Sequence, residues 1–191
     1  MGQVLLVSST DKSLEFISQL LREADASPLQ IITAQSGNEA RRLLARTDFE
    51  IIVINAPLSD EFGHELSISA AEVTTAGIII IARNEIADDV SARVENYGVF
   101  VIPKPLGRQM FFQTLKLVSA ARRRMLGLKN ENLKLQKKIE EIRLIDRGKC
   151  ALIQYLSMTE EQAHKYIERQ AMDMRVTKKE VAEGILRTYE T

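Results

Sequence analysis

Apolar residues in the first part of the chain fall into short, nearly unbroken runs rich in β-branched side chains. Between the runs they recur every three or four positions. The runs are Val4-Leu5-Leu6-Val7, Leu29 to Ala34, Phe49 to Ile54, Ile78-Ile79-Ile80-Ile81 and Val99-Phe100-Val101-Ile102. Apolar runs without polar alternation predict strands covered on both faces. Between them, Leu14, Ile17, Leu20 and Leu21 share one helical face after the opening Thr10-Asp11-Lys12-Ser13. Ala40, Leu43 and Leu44 do the same after Ser36-Gly37-Asn38-Glu39. Five such βα repeats predict an α/β fold with a doubly wound parallel sheet of order 2-1-3-4-5, its site at the carboxyl ends of strands 1 and 3.

After Pro105 no strand pattern returns, and residues 107–191 read as wholly helical. From Val118 the spacing is that of a heptad repeat. Val118, Met125, Asn132 and Ile139 fall at a; Ala121, Leu128, Leu135 and Ile142 fall at d. Leucine at d with a single asparagine at a suits a parallel dimer in fixed register. The alternative is a helix packed on its own domain. The flanking pairs Arg124 with Lys129 and Lys138 with Arg143 are like-charged, so they do not explain pairing and point to a partner instead. Gly127 costs the helix about 1 kcal/mol relative to Ala. Two capping boxes, Thr159-Glu160-Glu161-Gln162 and Thr177-Lys178-Lys179-Glu180, divide the remainder of the chain. They predict a long helix to about Leu156, then helices over roughly 160–174 and 178–189. Expected inward faces are Ala163, Tyr166, Ile167, Ala171 and Met174, then Val181, Ala182, Ile185 and Leu186. The domain reading is therefore 1–118, a coiled-coil dimerisation helix over 119–143, and a small all-α three-helix domain over 144–191.

Charge sharpens this division. The 191 residues sum to zero net charge, with 45% apolar and 27% charged residues, a balance that fills a core. Residues 1–118 carry 10 Lys/Arg against 15 Asp/Glu, and residues 119–191 carry 16 against 11. The basic half is the one suited to an anionic polymer, or is simply a solvated helical surface. No apolar stretch is long enough for a membrane span, and the opening MGQVLLVSST has no signal-peptide layout. The single cysteine, Cys150, forms no internal disulfide, and a reducing cytoplasm is the expected compartment. With only His64 and His164 and no CxxC, neither a metal site nor another cofactor is expected.

Five βα repeats, Ser36-Gly37-Asn38-Glu39-Ala40, Pro57 after strand 3, Glu61-Phe62-Gly63-His64-Glu65-Leu66 and Lys104-Pro105 together resemble a response-regulator receiver domain. That family ends strand 1 in two acidic residues that help bind Mg²⁺, strand 3 in an aspartate, strand 4 in Ser/Thr and strand 5 in Lys-Pro. Only the last is kept here. Ser8-Ser9 close strand 1, Asn55 closes strand 3, Ala82 stands in place of the hydroxyl, and Val101 stands where an aromatic is frequent. A neutral amide neither attacks phosphorus nor holds a hard dication well. The expectation is a pseudo-receiver without phosphoryl chemistry, in which Lys104 hydrogen-bonds Asn55 or the Ser8 and Ser9 hydroxyls. The pocket is either purely structural or takes a small ligand or a regulatory protein. The resemblance also implies a cis Lys104-Pro105 bond.

Residues 139–186 resemble the ANTAR domain, an RNA-binding module found behind receivers in bacterial antitermination regulators. The match is carried by Ile145-Asp146-Arg147-Gly148-Lys149-Cys150-Ala151-Leu152, Met158-Thr159-Glu160-Glu161-Gln162-Ala163, Ile167-Glu168-Arg169-Gln170-Ala171-Met172-Asp173-Met174-Arg175 and Val181-Ala182. Gly148 replaces the usual Ala, and Cys150 the usual Gly. The resemblance implies binding, without catalysis, to paired hairpins of a leader transcript so that a terminator does not form. A dimer would gain avidity from two such hairpins. Candidate contacts are Arg147, Lys149, Gln154, Tyr166, Arg169, Arg175, Lys178 and Lys179, any of which is alternatively plain surface or, for Tyr166, core. Competing readings are a DNA-binding regulator built on the two short helices joined near Met174-Arg175-Val176-Thr177, and a protein-interaction scaffold.

Overall fold

The computed structural model describes residues 2–24 and 30–189; Leu29, expected to open the second strand, lies outside them. Five strands form one parallel sheet of order β2-β1-β3-β4-β5. They are β1 (Gln3–Ser8), β2 (Gln30–Ala34), β3 (Ile51–Asn55), β4 (Gly77–Arg83) and β5 (Val99–Lys104). Helices α1 (Asp11–Ala24), α2 (Gly37–Leu44), α3 (His64–Val73) and α4 (Asn84–Val94) connect them, the last followed by a short 3₁₀ turn. Helix α5 runs from Arg108 to Leu156, and α6 (Glu160–Met174) and α7 (Lys178–Tyr189) complete the chain.

The unbroken apolar runs are explained by the alternation of the strands. Odd and even positions face opposite ways, and each face meets its own helical layer. Leu5, Val7, Ile52, Ile54, Ile78 and Ile80 form one core with Ala40, Leu66, Ala70, Val90 and Val94 of α2, α3 and α4. Val4, Leu6, Ile51, Val53, Ile79 and Ile81 form the other with Leu14, Ile17, Leu20 and Leu21 of α1. Phe111, Leu115 and Val118 of α5 belong to this second core. Phe49, expected in the third strand, is buried two positions before it, since β3 begins at Ile51.

The chain divides into two compact units, Met1–Leu126 and Gly127–Thr191. In the first, Val118 corrects the heptad reading. It is 1% exposed and packs into the sheet core, so it is not open to a second chain. The exposed a and d positions begin beyond it, with Ala121, Met125 and Leu128. In the second unit, Ala151 and Leu152 of α5 pack with Ala163, Ile167 and Ala171 of α6 and Val181, Ile185 and Leu186 of α7. Two expected inward residues do not join them: Tyr166 is 38% and Met174 62% exposed. Gly148 lets α7 come close, because a Cβ there would stand 3.0 Å from that of Ala182.

Val118 reaches its place because residue 77 has no side chain. A Cβ on Gly77 would lie 2.2 Å from Val118 Cγ1 and 3.2 Å from Ile51 Cδ1. Both neighbours are short, β-branched and buried, so neither swings clear. Gly77→Ala is expected to destabilise the first unit by about 1–3 kcal/mol, read as a lower midpoint in urea unfolding. An unchanged midpoint would show that this contact yields freely.

Candidate functional site

The carboxyl ends of β1, β3, β4 and β5 bring the expected pocket residues together. Parallel register sets Ser8 beside Asn55 and Asn55 beside Ile81, while Ala82 neighbours Pro103 and Arg83 neighbours Lys104. Ser8 and Asn55 are both buried, and Asn55 Nδ2 donates to Ser8 Oγ at 2.9 Å. This amide–hydroxyl bond joins the ends of β1 and β3 without a charge. Ala82 is fully buried and offers no hydroxyl. Ser9 is exposed, and its hydroxyl donates to the Pro57 carbonyl at 3.3 Å.

Lys104 departs from expectation. Its Nζ donates to the Ala56 carbonyl at 2.7 Å rather than to Asn55, Ser8 or Ser9. The backbone carbonyl of Ala56, next to Asn55 in the chain, is the acceptor that the ammonium takes. Burial pushes its pKa down, and the adjacent Arg83 adds to that shift. The peptide bonds Ala56-Pro57 and Lys104-Pro105 are both cis.

Carboxylates lie near this end of the sheet, but they are engaged elsewhere. Asp60, in the loop after β3, accepts from the backbone N–H groups of Gly37 at 2.8 Å and Asn38 at 3.0 Å. It thereby caps the positive end of α2. Ser36 caps the same helix by accepting from Glu39 N–H at 3.2 Å, and the Glu39 carboxylate reaches back to Gln35 N–H at 2.8 Å. Beside them Arg41 and Glu61 form a two-pronged ion pair. Gly37 makes room for it, since a Cβ there would strike Glu61 Oε1. Ser59 Oγ adds a bond to the Gln35 carbonyl at 3.1 Å. The β3–α3 loop is thus fastened to the start of α2 by Ser59, Asp60 and Glu61 in succession. Only the helix-opening half of this brace was visible in the sequence, because its partners lie twenty or more positions away. Among the described residues no cluster of three or more His, Cys, Asp or Glu could hold a metal.

The second candidate surface lies on the three-helix unit, and its eight residues divide by role. Lys149 is mostly buried and bridges Asp146 at 2.9 Å and Glu160 of α6 at 3.3 Å, the hydrogen bond to Asp146 chiefly raising its pKa. Lys178, opening α7, pairs with Glu168 of α6 and holds that carboxyl below its ordinary range. These two lysines join helices. Arg147, Gln154, Arg169, Arg175 and Lys179 are exposed. Arg169 lies 3.8 Å from Asp173 and Lys179 3.7 Å from Glu183, both loose pairs within one helix. Arg175 ends α6 in a left-handed conformation, φ 54°. Tyr166 lines an open cleft of about 530 Å³ with Gln170, Met174, Gly184, Arg187 and Tyr189. That cleft was hidden from the sequence, since helical periodicity assigns Tyr166 and Met174 inward.

Residues 133–186 match the family model of the ANTAR domain. Over 158 residues the chain is 27% identical to the Transcriptional regulatory protein PdtaR of two Mycobacterium tuberculosis strains, covering 83% of this chain and 77% of the relative. It is also similar to a two-component response regulator from Clostridium difficile, at TM-score 0.54 and 22% identity, over 62% of this chain and 95% of that one. The signal receiver domain of an HD domain-containing protein from Pseudomonas fluorescens superposes at TM-score 0.58 and 20% identity, over 66% and 92% of the two chains. These likenesses establish a receiver-type fold.

The Asp60 cap carries a pH dependence. The N–H groups of Asn38 and Gly37 hold its carboxyl below the ordinary aspartate value. Its contribution is therefore present above the unfolded-state pKa and is lost as pH falls through the folded one. Asp60→Asn is expected to lower the unfolding midpoint near neutral pH, with the difference from wild type vanishing in acid. A deficit that persisted unchanged in acid would assign the effect to something other than the charge.

Proposed function

From a receiver-type fold joined to an ANTAR domain, we propose that this chain is a transcription antitermination regulator. As a homodimer it binds two hairpins of a leader transcript, and its receiver is not switched by aspartate phosphorylation. The reading rests chiefly on the ANTAR match over residues 133–186, which coincides with a unit rich in exposed cations. Hairpin loops expose unstacked bases and phosphates that such side chains recognise. The chain acts here by binding, as a regulator, and a reducing cytoplasm is the compartment that suits it. Among the described residues no helix is long and apolar enough to cross a membrane.

Arg175 gives the reading a specific support. A non-glycine residue in the left-handed region is held at a local cost, and helix ends there favour glycine. An arginine kept at that place is consistent with a contact outside the fold. Arg169, Arg175 and Lys179 are the proposed phosphate contacts, with Arg147 and Gln154 beside them on α5. Tyr166 offers a ring for stacking. Lys149 and Lys178 serve to hold the three helices in register. The spread of cations over three helices favours RNA over insertion of one helix into a DNA groove.

A gel shift comparing a tandem-hairpin RNA with duplex DNA tests this directly. Selective retention of the RNA is expected; equal binding to DNA, or binding to neither, overturns the reading. Arg175→Gly should leave stability unchanged or raise it by up to about 1 kcal/mol, read from the unfolding midpoint. The same change should weaken RNA binding by roughly tenfold. Full affinity in that variant would remove Arg175 from the interface.

On the input side, Asn55 spends its amide on Ser8, and Ala82 supplies no hydroxyl. Incubation with acetyl phosphate and Mg²⁺ is expected to leave no stable phosphoryl group on the chain, as read by intact mass. A phosphorylated residue near Asn55 would refute the silent pocket. A ligand, a protein partner or dimerisation itself is then the remaining input.

A further inference from the structure

Every residue of α5 from 127 to 143 is exposed. The large apolar side chains of its stripe stay more than half open, with Leu128 at 58%, Leu135 at 57%, Ile139 at 51% and Ile142 at 52%. A lone helix segment of this length is marginal in water. An a/d stripe with one Asn at a fits a second copy of the same helix. That dimer and the RNA binding proposed for the last unit are the two premises of a coupling between them.

The positions flanking the stripe are unusual for a pairing helix. The g positions are Arg124, Glu131 and Lys138, and the e positions beyond Arg122, which bonds the Thr75 carbonyl, are Lys129, Gln136 and Arg143. Each copy therefore sets four cations and one carboxylate beside the seam. In a parallel pair Arg124 of one copy faces Lys129 of the other, and Lys138 faces Arg143. Helices that pair on charge alternate sign across these positions; these do not. The apolar seam draws two copies together while its flanks push them apart. A polyanion lying along the flanks reverses the sign of the second effect, because each like-charged pair then shares a counter-charge. Lys129, Lys138 and Arg143 span about 21 Å of helix at 1.5 Å per residue, a length suited to several consecutive phosphates.

We infer that the like-charged flanks of the α5 coil bind the phosphate backbone of RNA, so that RNA binding and dimerisation strengthen each other. The coupling is reciprocal: whatever factor RNA adds to dimer affinity, the dimer adds to RNA affinity. Dimerisation then becomes a consequence of finding a transcript, which is one way to regulate a chain whose receiver lacks a phosphorylatable aspartate at Asn55.

Sedimentation equilibrium of the full chain at low and high salt, with and without inorganic polyphosphate, reads this coupling. The companion is the double variant Lys129→Glu/Arg143→Glu, which turns both flank pairs attractive. Wild type should associate more tightly as salt screens the repulsion. At low salt polyphosphate should tighten it by about tenfold. The free double variant should be about tenfold tighter than free wild type at low salt, and indifferent to polyphosphate. A wild-type dimer that loosens with salt, or a variant no tighter than wild type, overturns the inference. An RNA duplex must act as polyphosphate does; tightening by polyphosphate alone overturns the inference as stated. Absence of dimer in both chains removes the coil pairing itself and the inference with it. Loss of hairpin recognition appears separately in the gel shift, so failure there is distinguishable from failure of the coupling.

Discussion

The seating of α5 on the sheet is the contact on which the architecture depends. Phe111, Leu115 and Val118 cover the half of the sheet that α1 leaves open. The last of them needs the empty space above Gly77. Without that seat the inner positions of β3 and β4 would meet water, and a parallel sheet does not survive with one face exposed. The same helix continues for 49 residues, from core into fully exposed turns and then into a second core at Ala151 and Leu152. One hydrogen-bonded element therefore belongs to two separate packing problems. Its middle, which belongs to neither, carries the apolar stripe that needs a partner.

The pocket at the carboxyl ends of the strands is built on a neutral pair where the sequence pattern leads one to expect a charged one. A buried carboxylate in the place of Asn55 would need a cation or several donors to offset its desolvation. The neutral amide carries a smaller desolvation cost and donates to Ser8 Oγ at 2.9 Å. Lys104 donates to the Ala56 carbonyl and ties β5 to the loop after β3. Asp60 and the Arg41–Glu61 pair fasten that loop a second time, to α2. The loops of the site are thus held by a lysine on a backbone carbonyl, a helix-capping carboxylate and one ion pair. In the proposed reading this leaves the C-terminal unit as the working part, with the coil as the element that senses occupancy.

How much could be read in advance depends on the range of the interactions. The strands, their order and the cores of α1 and α2 rest on periodicity within one element, and Leu14, Ile17, Leu20, Leu21 and Ala40 lie where the spacing put them. The starts of α6 and α7 rest on capping boxes that reach only three residues, and both fall where expected, at Glu160 and Lys178. Errors arise where a residue has two competing partners far apart in sequence. Val118 satisfies the heptad repeat and the sheet core equally well by pattern, and the core takes it because Gly77 leaves a space its side chain fills. Lys104 had three polar groups within reach by pattern, and the two hydroxyls and amide lost to a backbone carbonyl. Tyr166 and Met174 have inward spacing, yet the helices diverge enough at that edge to leave a cleft.

The sequence by itself determined the class of fold, the helical second half, the loss of every acidic group from the strand ends and the surplus of cations after residue 118. Each of these is a local property, set by side-chain type and by periods of two, three and four residues. Only the tertiary structure decided how Asn55 and Lys104 are used, that Asp60 caps α2 across more than twenty positions, and which cations of the last unit face solvent. Those outcomes turn on competition among donors and acceptors that are distant in sequence and meet only once the chain has folded, and buried polar groups there find partners.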